Sequence, residues 1–228
     1  MYPLLITAAQ LQALKPSGQH VVVFDCSSDL MKPEMADSMF ETEHMAGALQ
    51  AHLDRNLSAH HDADAVNGGR HPLPAREKVA AWLASQGVGN ATQVVVYDRQ
   101  AGNYCGRLWW MLKWCGHDAV AVLDGGLQAW VAAGGSVASG EATATTSATQ
   151  AAGNFALREP LLKLVDTANV SAHLGDGTQT IVDARGAPRY RGEVEPLDPV
   201  AGHIPGALNR PFNTNLNADG FFKSADEL

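Results

Sequence analysis

With 228 residues, 46% hydrophobic and 18% charged, the chain has the make-up of an ordinary globular protein of one large or two modest domains. A formal net charge of −8 argues against a nucleic-acid partner, whose phosphates select for basic surfaces, and no apolar run reaches the roughly 18 residues that a membrane crossing needs. Three cysteines without a C-x-x-C pair (Cys26, Cys105, Cys115) argue against a disulfide framework or a zinc site; the expectation is a cytoplasmic protein with no metal and no cofactor.

The opening stretch MYPLLITAAQLQALKPSG (1–18) lacks the basic start of a leader and reads as a short amphipathic helix. HVVVFD (20–25) is short, β-branched and uncharged until its end, the pattern of a strand buried on both faces. PAREKVAAWLASQGV (74–88) is a helix with Pro74 near its start and Gly87 past its last turn. QVVVYD (93–98) is a second buried strand, and AGNYCGRLWWMLKWCGH (101–117) is a helix stopped at Gly116. AVAVLDGG (119–126) is a third strand and LQAWVAAGG (127–135) a helix stopped by glycines. Strands alternating with helices demand crossovers and a parallel sheet covered on both faces, so the fold class is α/β, doubly wound.

SVASGEATATTSATQAAGNF (136–155), rich in Ala, Thr, Ser and Gly with a single charge, has linker composition. The expected division is a first domain over 1–137, a linker over 138–158 and the opening part of a second α/β domain over 159–228. That second part holds a helix around 166–177, a strand at 179–184 and the segment GHIPGALN (202–209).

GHIPGALN repeats EHMAGALQ (43–50). Asp25 precedes His44 by 19 residues and Asp183 precedes His203 by 20, which points to an internal duplication. Asp98 follows His44 by 54 residues; the same step from His203 leads to about position 257, so the second copy is expected to be incomplete within these 228 residues.

In such sheets ligands sit at the carboxyl ends of the strands, where Asp25, Asp98, Asp124 and Asp183 fall. The loop DRQAGNYCGR (98–107) runs into a helix, where backbone N–H groups can cradle an anion, but Asp98 at its mouth would repel one. The second copy has the opposite charge: ARGAPRYRG (184–192) brings Arg185, Arg189 and Arg191 together, which suits a small anionic substrate. The same arginines also read as structural, with Arg185 pairing to Asp183 or Glu193 and Arg191 solvated. Cys26 has no cationic neighbour in sequence, and Cys105 and Cys115 lie in an apolar helix, so all three read as inert buried thiols.

VDARGAPRYRG and GHIPGALNRPF together resemble the second domain of the tandem-domain thiosulfate and 3-mercaptopyruvate sulfurtransferases of the rhodanese family. VVVYDRQAGNYCGRLWWMLKWCGHDAVAVLDGGLQAW resembles their first, non-catalytic domain. The resemblance spans almost the whole chain. It implies two tandem rhodanese-like domains, the second incomplete, and transfer of a sulfane sulfur from a small anionic donor through a cysteine persulfide. The implied acceptors are cyanide or a thiol, thioredoxin-like proteins among them, with no nucleic acid and no membrane. The nucleophilic cysteine it implies would follow residue 228, where the first copy has Asp98, so no catalytic residue is expected within the chain, which is expected to be inactive by itself. Arg189, in the R-[FY]-x-G segment, would bind the donor's anionic end; Asp183, Arg185 and His203 would form the scaffold, His203 with Gly206 shaping a turn. Where mercaptopyruvate enzymes carry a second arginine after an E-P pair, this chain has Leu197 and Asp198.

Two rival functions stay open at this level: a non-catalytic binding module, and a relative of the cysteine phosphatases with a longer loop around the nucleophile. SAHHDADAVNGGRHPLP (58–74) gathers His60, His61, Asp62, Asp64 and His71, but departs by one position from a calcium loop and reads as solvated.

Overall fold

A computed structural model describes residues 1–14, 17–60, 62–140 and 153–228. They divide into two compact units, Met1–Lys163 and Leu164–Leu228. In the first unit the chain runs β1 (Leu5–Ile6), α1 (Ala8–Leu14), β2 (Val21–Asp25), α2 (Met35–Thr42), β3 (His44–Met45) and β4 (Leu49–Gln50). It continues through α3 (Arg76–Ser85), β5 (Gln93–Tyr97), α4 (Cys105–Trp114), β6 (Val120–Leu123), α5 (Gly126–Ala132) and β7 (Val137–Ala138). Five of the strands form one parallel sheet in the order β1-β6-β5-β2-β4, while β3 pairs antiparallel with β7.

Side chains alternate across a strand, so a run apolar at every position must be covered twice. On one face Val23, Val95 and Tyr97 pack with Leu11 of α1 and Leu127 and Trp130 of α5. On the other, Phe24 meets Trp82 of α3 at 5.3 Å between ring centroids, and α4 packs on β5 and β6. Every residue of β5 is buried. Each such Val is worth roughly 1.5–3 kcal/mol of transfer free energy, which makes this strand the anchor of the unit.

The N-terminus departs from the helix expected over 1–18. Leu5 and Ile6 extend the sheet opposite Val122 and Leu123, and the helix begins only at Ala8. The reason is a capping box: Gln10 N–H donates to Thr7 Oγ1 at 3.2 Å and Thr7 N–H to Gln10 Oε1 at 2.9 Å. The expected linker 138–158 falls largely on residues 141–152, which lie outside the described residues. Its end is tied to the first unit, with Gly153 N–H donating to Ala84 O at 2.8 Å and Arg158 N–H to Cys115 O at 3.2 Å.

The second unit holds α6 (Thr167–Ala172), β8 (Val182–Asp183), α7 (Ala187–Tyr190), β9 (Leu208–Asn209) and a 3₁₀ turn over Phe212–Asn215. Asp166 caps α6, its carboxylate accepting the Asn169 N–H. Of the described residues 164–228, only Ala207 is buried.

The repeated segment folds the same way twice. Phe24 and Asp25 pair with Leu49 and Gln50 in parallel register, and Val182 and Asp183 pair with Leu208 and Asn209. His44 Nδ1 lies 2.7 Å from Phe40 O with its ring stacked on Phe40 at 3.9 Å. His203 Nδ1 lies 2.7 Å from Tyr190 O with its ring stacked on Tyr190 at 3.7 Å. Gly47 and Gly206 take φ of 81° and 80°, the left-handed turn between histidine and strand that glycine adopts without cost. Ala51 N–H donates to Asp25 O in one copy, and Arg210 N–H to Asp183 O in the other. The duplication read from sequence is therefore a duplication of hydrogen bonds and ring stacking.

Candidate active site

At the carboxyl end of β5 the loop 98–105 curls around a single carboxylate. Asp98 Oδ1 accepts the N–H groups of Gln100 and Gly102, both at 2.9 Å, and Oδ2 accepts those of Tyr104 at 2.8 Å and Cys105 at 2.9 Å. Four convergent amides at a helix start form an anion cradle, and here the anion is the chain's own side chain. This is why α4 begins at Cys105 and not at the expected 101: the amides before it point at Asp98. The charge at the loop mouth that argued against anion binding thus sits inside the cradle, with Asp98 only 1% exposed.

Asp25, at the end of β2, accepts the Ser27 N–H at 2.8 Å and faces Arg99 Nη2 at 3.5 Å. Arg99 also donates to Ser27 Oγ and to the Glu43 carbonyl, joining the ends of three segments. Next to Asp98, Gly126 sits at φ +59°, and a Cβ there would strike the Asp98 carbonyl oxygen. The second glycine of L-D-G-G is therefore a close-approach residue.

The three cysteines are free and buried. Burial, with the carboxylates of Asp25 and Asp98 close by, pushes the Cys26 thiol well above its ordinary range. Burial and Asp98 do the same to Cys105. Burial lifts Cys115 to about 11 despite Arg76 beside it. None is held as a thiolate near neutral pH, the form that attacks sulfur.

In the second unit the structure brings Asp183, Arg185 and Arg189 into one ionic network, in which Glu195 is the member that sequence reading missed. Arg185 donates Nε and Nη2 to Asp183 and Nη2 to Gly202 O at 2.6 Å, with Nη1 3.4 Å from Glu195. Arg189 donates to both Glu195 oxygens at 2.7–3.1 Å and to Asp198 Oδ2 at 2.9 Å. Arg191 takes Glu193 instead, at 2.6 Å on an exposed surface. Of the two partners considered for Arg185, Asp183 is the one it holds; its second carboxylate is Glu195. The Arg189 hydrogen bonds, helped by the backbone N–H groups of Asp198 and Leu197, hold Glu195 well below the usual carboxylate range, at about 2. Arg185 likewise lowers Asp183. His203 lies beside this network on Tyr190, one residue after the Gly202 carbonyl that Arg185 grips. The signal for Glu195 was present in sequence: an acid six residues after Arg189 in a Pro-containing turn, VEPLD, whose N–H groups at Leu197 and Asp198 fold back onto its carboxylate.

Residues 7–133 match the profile of the rhodanese-like domain. The chain is 41% identical over 225 residues to a Pseudomonas aeruginosa protein named "Probable 3-mercaptopyruvate sulfurtransferase", covering 98% of this chain and 76% of that protein. It is 34% identical over 217 residues to human 3-mercaptopyruvate sulfurtransferase, covering 93% of this chain and 69% of the human protein. Among solved structures, SseA from Escherichia coli, described as a 3-mercaptopyruvate sulfotransferase of the rhodanese fold, superposes with a TM-score of 0.77 at 26% identity, over 98% of this chain and 80% of that one. No helix among the described residues is long and apolar enough to cross a membrane. A parallel α/β sheet with an amide cradle at the end of its central strand, a profile match over more than half of the residues and a relative of 41% identity lead to one assignment: the chain belongs to the rhodanese family.

Proposed function

We propose that the chain is a sulfurtransferase that moves a sulfane sulfur from thiosulfate or 3-mercaptopyruvate to cyanide or a thiol, through a cysteine persulfide. The observation that supports this reading is the 41% identity over nearly the whole chain to a relative named "Probable 3-mercaptopyruvate sulfurtransferase". In the transfer, a cysteine thiolate attacks the donor's terminal sulfur, the S–S or C–S bond breaks, and sulfite or the enolate of pyruvate leaves, the latter taking up a proton. The acceptor then attacks the outer persulfide sulfur and regenerates the thiolate.

In this reading Cys26, Cys105 and Cys115 take no part, because each is buried with a raised pKa. The persulfide cysteine of this reading is the second-copy counterpart of Asp98, the residue that fills the amide cradle of the first copy. Arg189 receives the donor's oxyanion end, which displaces the exposed Asp198 from the guanidinium; Asp183, Arg185 and His203 keep the surrounding loop in shape. A reducing cytoplasm keeps the three thiols free, and the acceptor is a small thiol, cyanide or a thioredoxin-like protein. A binding module without catalysis is the second reading, favoured by the self-filled cradle of Asp98.

The test is peptide mass spectrometry of the protein after exposure to thiosulfate or 3-mercaptopyruvate. One added sulfur, at the second-copy counterpart of Asp98 and on none of Cys26, Cys105 and Cys115, is expected. No added sulfur would favour the binding module, and sulfur on Cys26, Cys105 or Cys115 would overturn their exclusion.

A further inference from the structure

Away from both strand-end regions, the loop between β4 and α3 brings three side chains to one atom. Asp54 Oδ1 lies 3.0 Å from His60 Nε2 and 3.3 Å from His71 Nε2. The two imidazoles stand edge to face, 5.5 Å between centroids. One ligand atom from each of the three residues lies within 4.8 Å of the other two.

These separations are those of metal ligands. Around a tetrahedral ion with nitrogen and oxygen ligands at ~2.0–2.2 Å, neighbouring donor atoms stand about 3.3–3.5 Å apart. The Asp54 oxygen is already within a few tenths of an ångström of that spacing from each ring nitrogen, and the three ligand atoms all lie within 4.8 Å of one another. As a purely hydrogen-bonded cluster the same atoms need a proton on each Nε2; an ion replaces both protons and gains the carboxylate charge.

The frame that holds them is firm. Arg107 of α4 donates Nε and Nη2 to Leu57 O at 2.9 and 2.7 Å, and Nη2 to His71 O at 2.9 Å, so one guanidinium ties together the limbs that carry His60 and His71. Ala59 N–H donates to Pro72 O at 2.9 Å between the same limbs. His52 Nδ1 accepts from the N–H groups of Asp54 and Arg55, which fixes the turn under the carboxylate. The ligand side chains keep 34%, 31% and 19% exposure for His60, Asp54 and His71, enough for an ion to enter. The acids that gave the sequence its calcium-like look take no part: Asp62 and Asp64 are both held by Lys78.

We propose that Asp54, His60 and His71 bind one divalent cation of the zinc class, with a fourth coordination position open to solvent. Two imidazoles and one carboxylate suit zinc and its late-transition neighbours over calcium or magnesium, which take oxygen ligands.

The test is titration of the chelator-stripped 228-residue chain with Co²⁺, followed by visible absorption. One equivalent is expected to give the intense bands of four-coordinate cobalt without a thiolate charge-transfer band, and Zn²⁺ should bleach them. His60→Ala and Asp54→Asn, with folding checked by circular dichroism, should weaken binding by more than about 100-fold, since even residues that merely orient metal ligands are worth roughly 10–100-fold. His173→Ala, in the second unit, should leave it unchanged. Absence of the cobalt bands, a thiolate band, or unaltered affinity in both loop variants would overturn the site.

Discussion

The Cys105 backbone N–H points at Asp98 Oδ2 from 2.9 Å, while the Cys105 thiol itself is buried and unreactive in character. The amide, and not the sulfur, is what this loop offers at the end of the central strand. Asp98→Ala leaves four inward amides without their acceptor, and Asp98→Asn turns one oxygen into a donor facing two of them. Each substitution should cost about 1–3 kcal/mol of stability, read from urea unfolding. A loss within experimental error would mean the cradle does not depend on the carboxylate.

Gly126→Ala is expected to cost roughly 1–3 kcal/mol for the left-handed backbone alone, with a further penalty from the Asp98 carbonyl. In a chain of this size that lowers Tm by several degrees, readable by calorimetry. Gly106→Ala, where a Cβ meets nothing, serves as the comparison and should not lower it.

Glu195 titrates at about 2 because Arg189 binds its ionised form. A depressed carboxyl adds stability that is fully present above its unfolded pKa, near 4.3, and is lost as pH falls through the folded value. The second unit should accordingly loosen as pH drops from about 4 towards 2, followed by the Glu195 carboxyl resonance in NMR. Arg189→Gln should return that midpoint to the ordinary range; an ordinary midpoint in the unaltered chain would refute the ion pair.

In the second unit β8 and β9 have exposed apolar faces, Val182 at 55% and Leu208 at 60%. Backbone hydrogen bonds without apolar cover open easily. Hydrogen exchange by mass spectrometry should show amides of 182–209 exchanging far faster than those of β5, whose residues are all buried. Equal protection in the two regions would contradict the exposed surface.

The sheet was legible because VVVFD, QVVVY and VAVL are apolar at consecutive positions, a pattern only double cover satisfies. The matched histidines were legible as well, since a fixed spacing from a strand-end Asp survives duplication. The start of β1 was not: two residues of strand have no period, and only the T-A-A-Q capping box separates them from the helix. The network around Glu195 was half legible. Sequence brought the arginines together, but ion-pair choice depends on how a turn folds back: Glu193 is nearer to Arg189 along the chain, yet Arg189 takes Glu195. The meeting of Asp54 with His60 and His71 was hidden for the same reason, because loop closure by Arg107, 36 residues beyond His71, sets it.

A soluble anion approaching the first unit would have to evict a carboxylate that is covalently tethered a few bonds from its own binding amides. Such tethering corresponds to a local concentration far above any metabolite's, so external ligands lose by mass action even if their intrinsic fit is equal. The amide cradle of the front copy is closed to anions from solution by a permanent internal competitor, and diluting the protein does not dilute it.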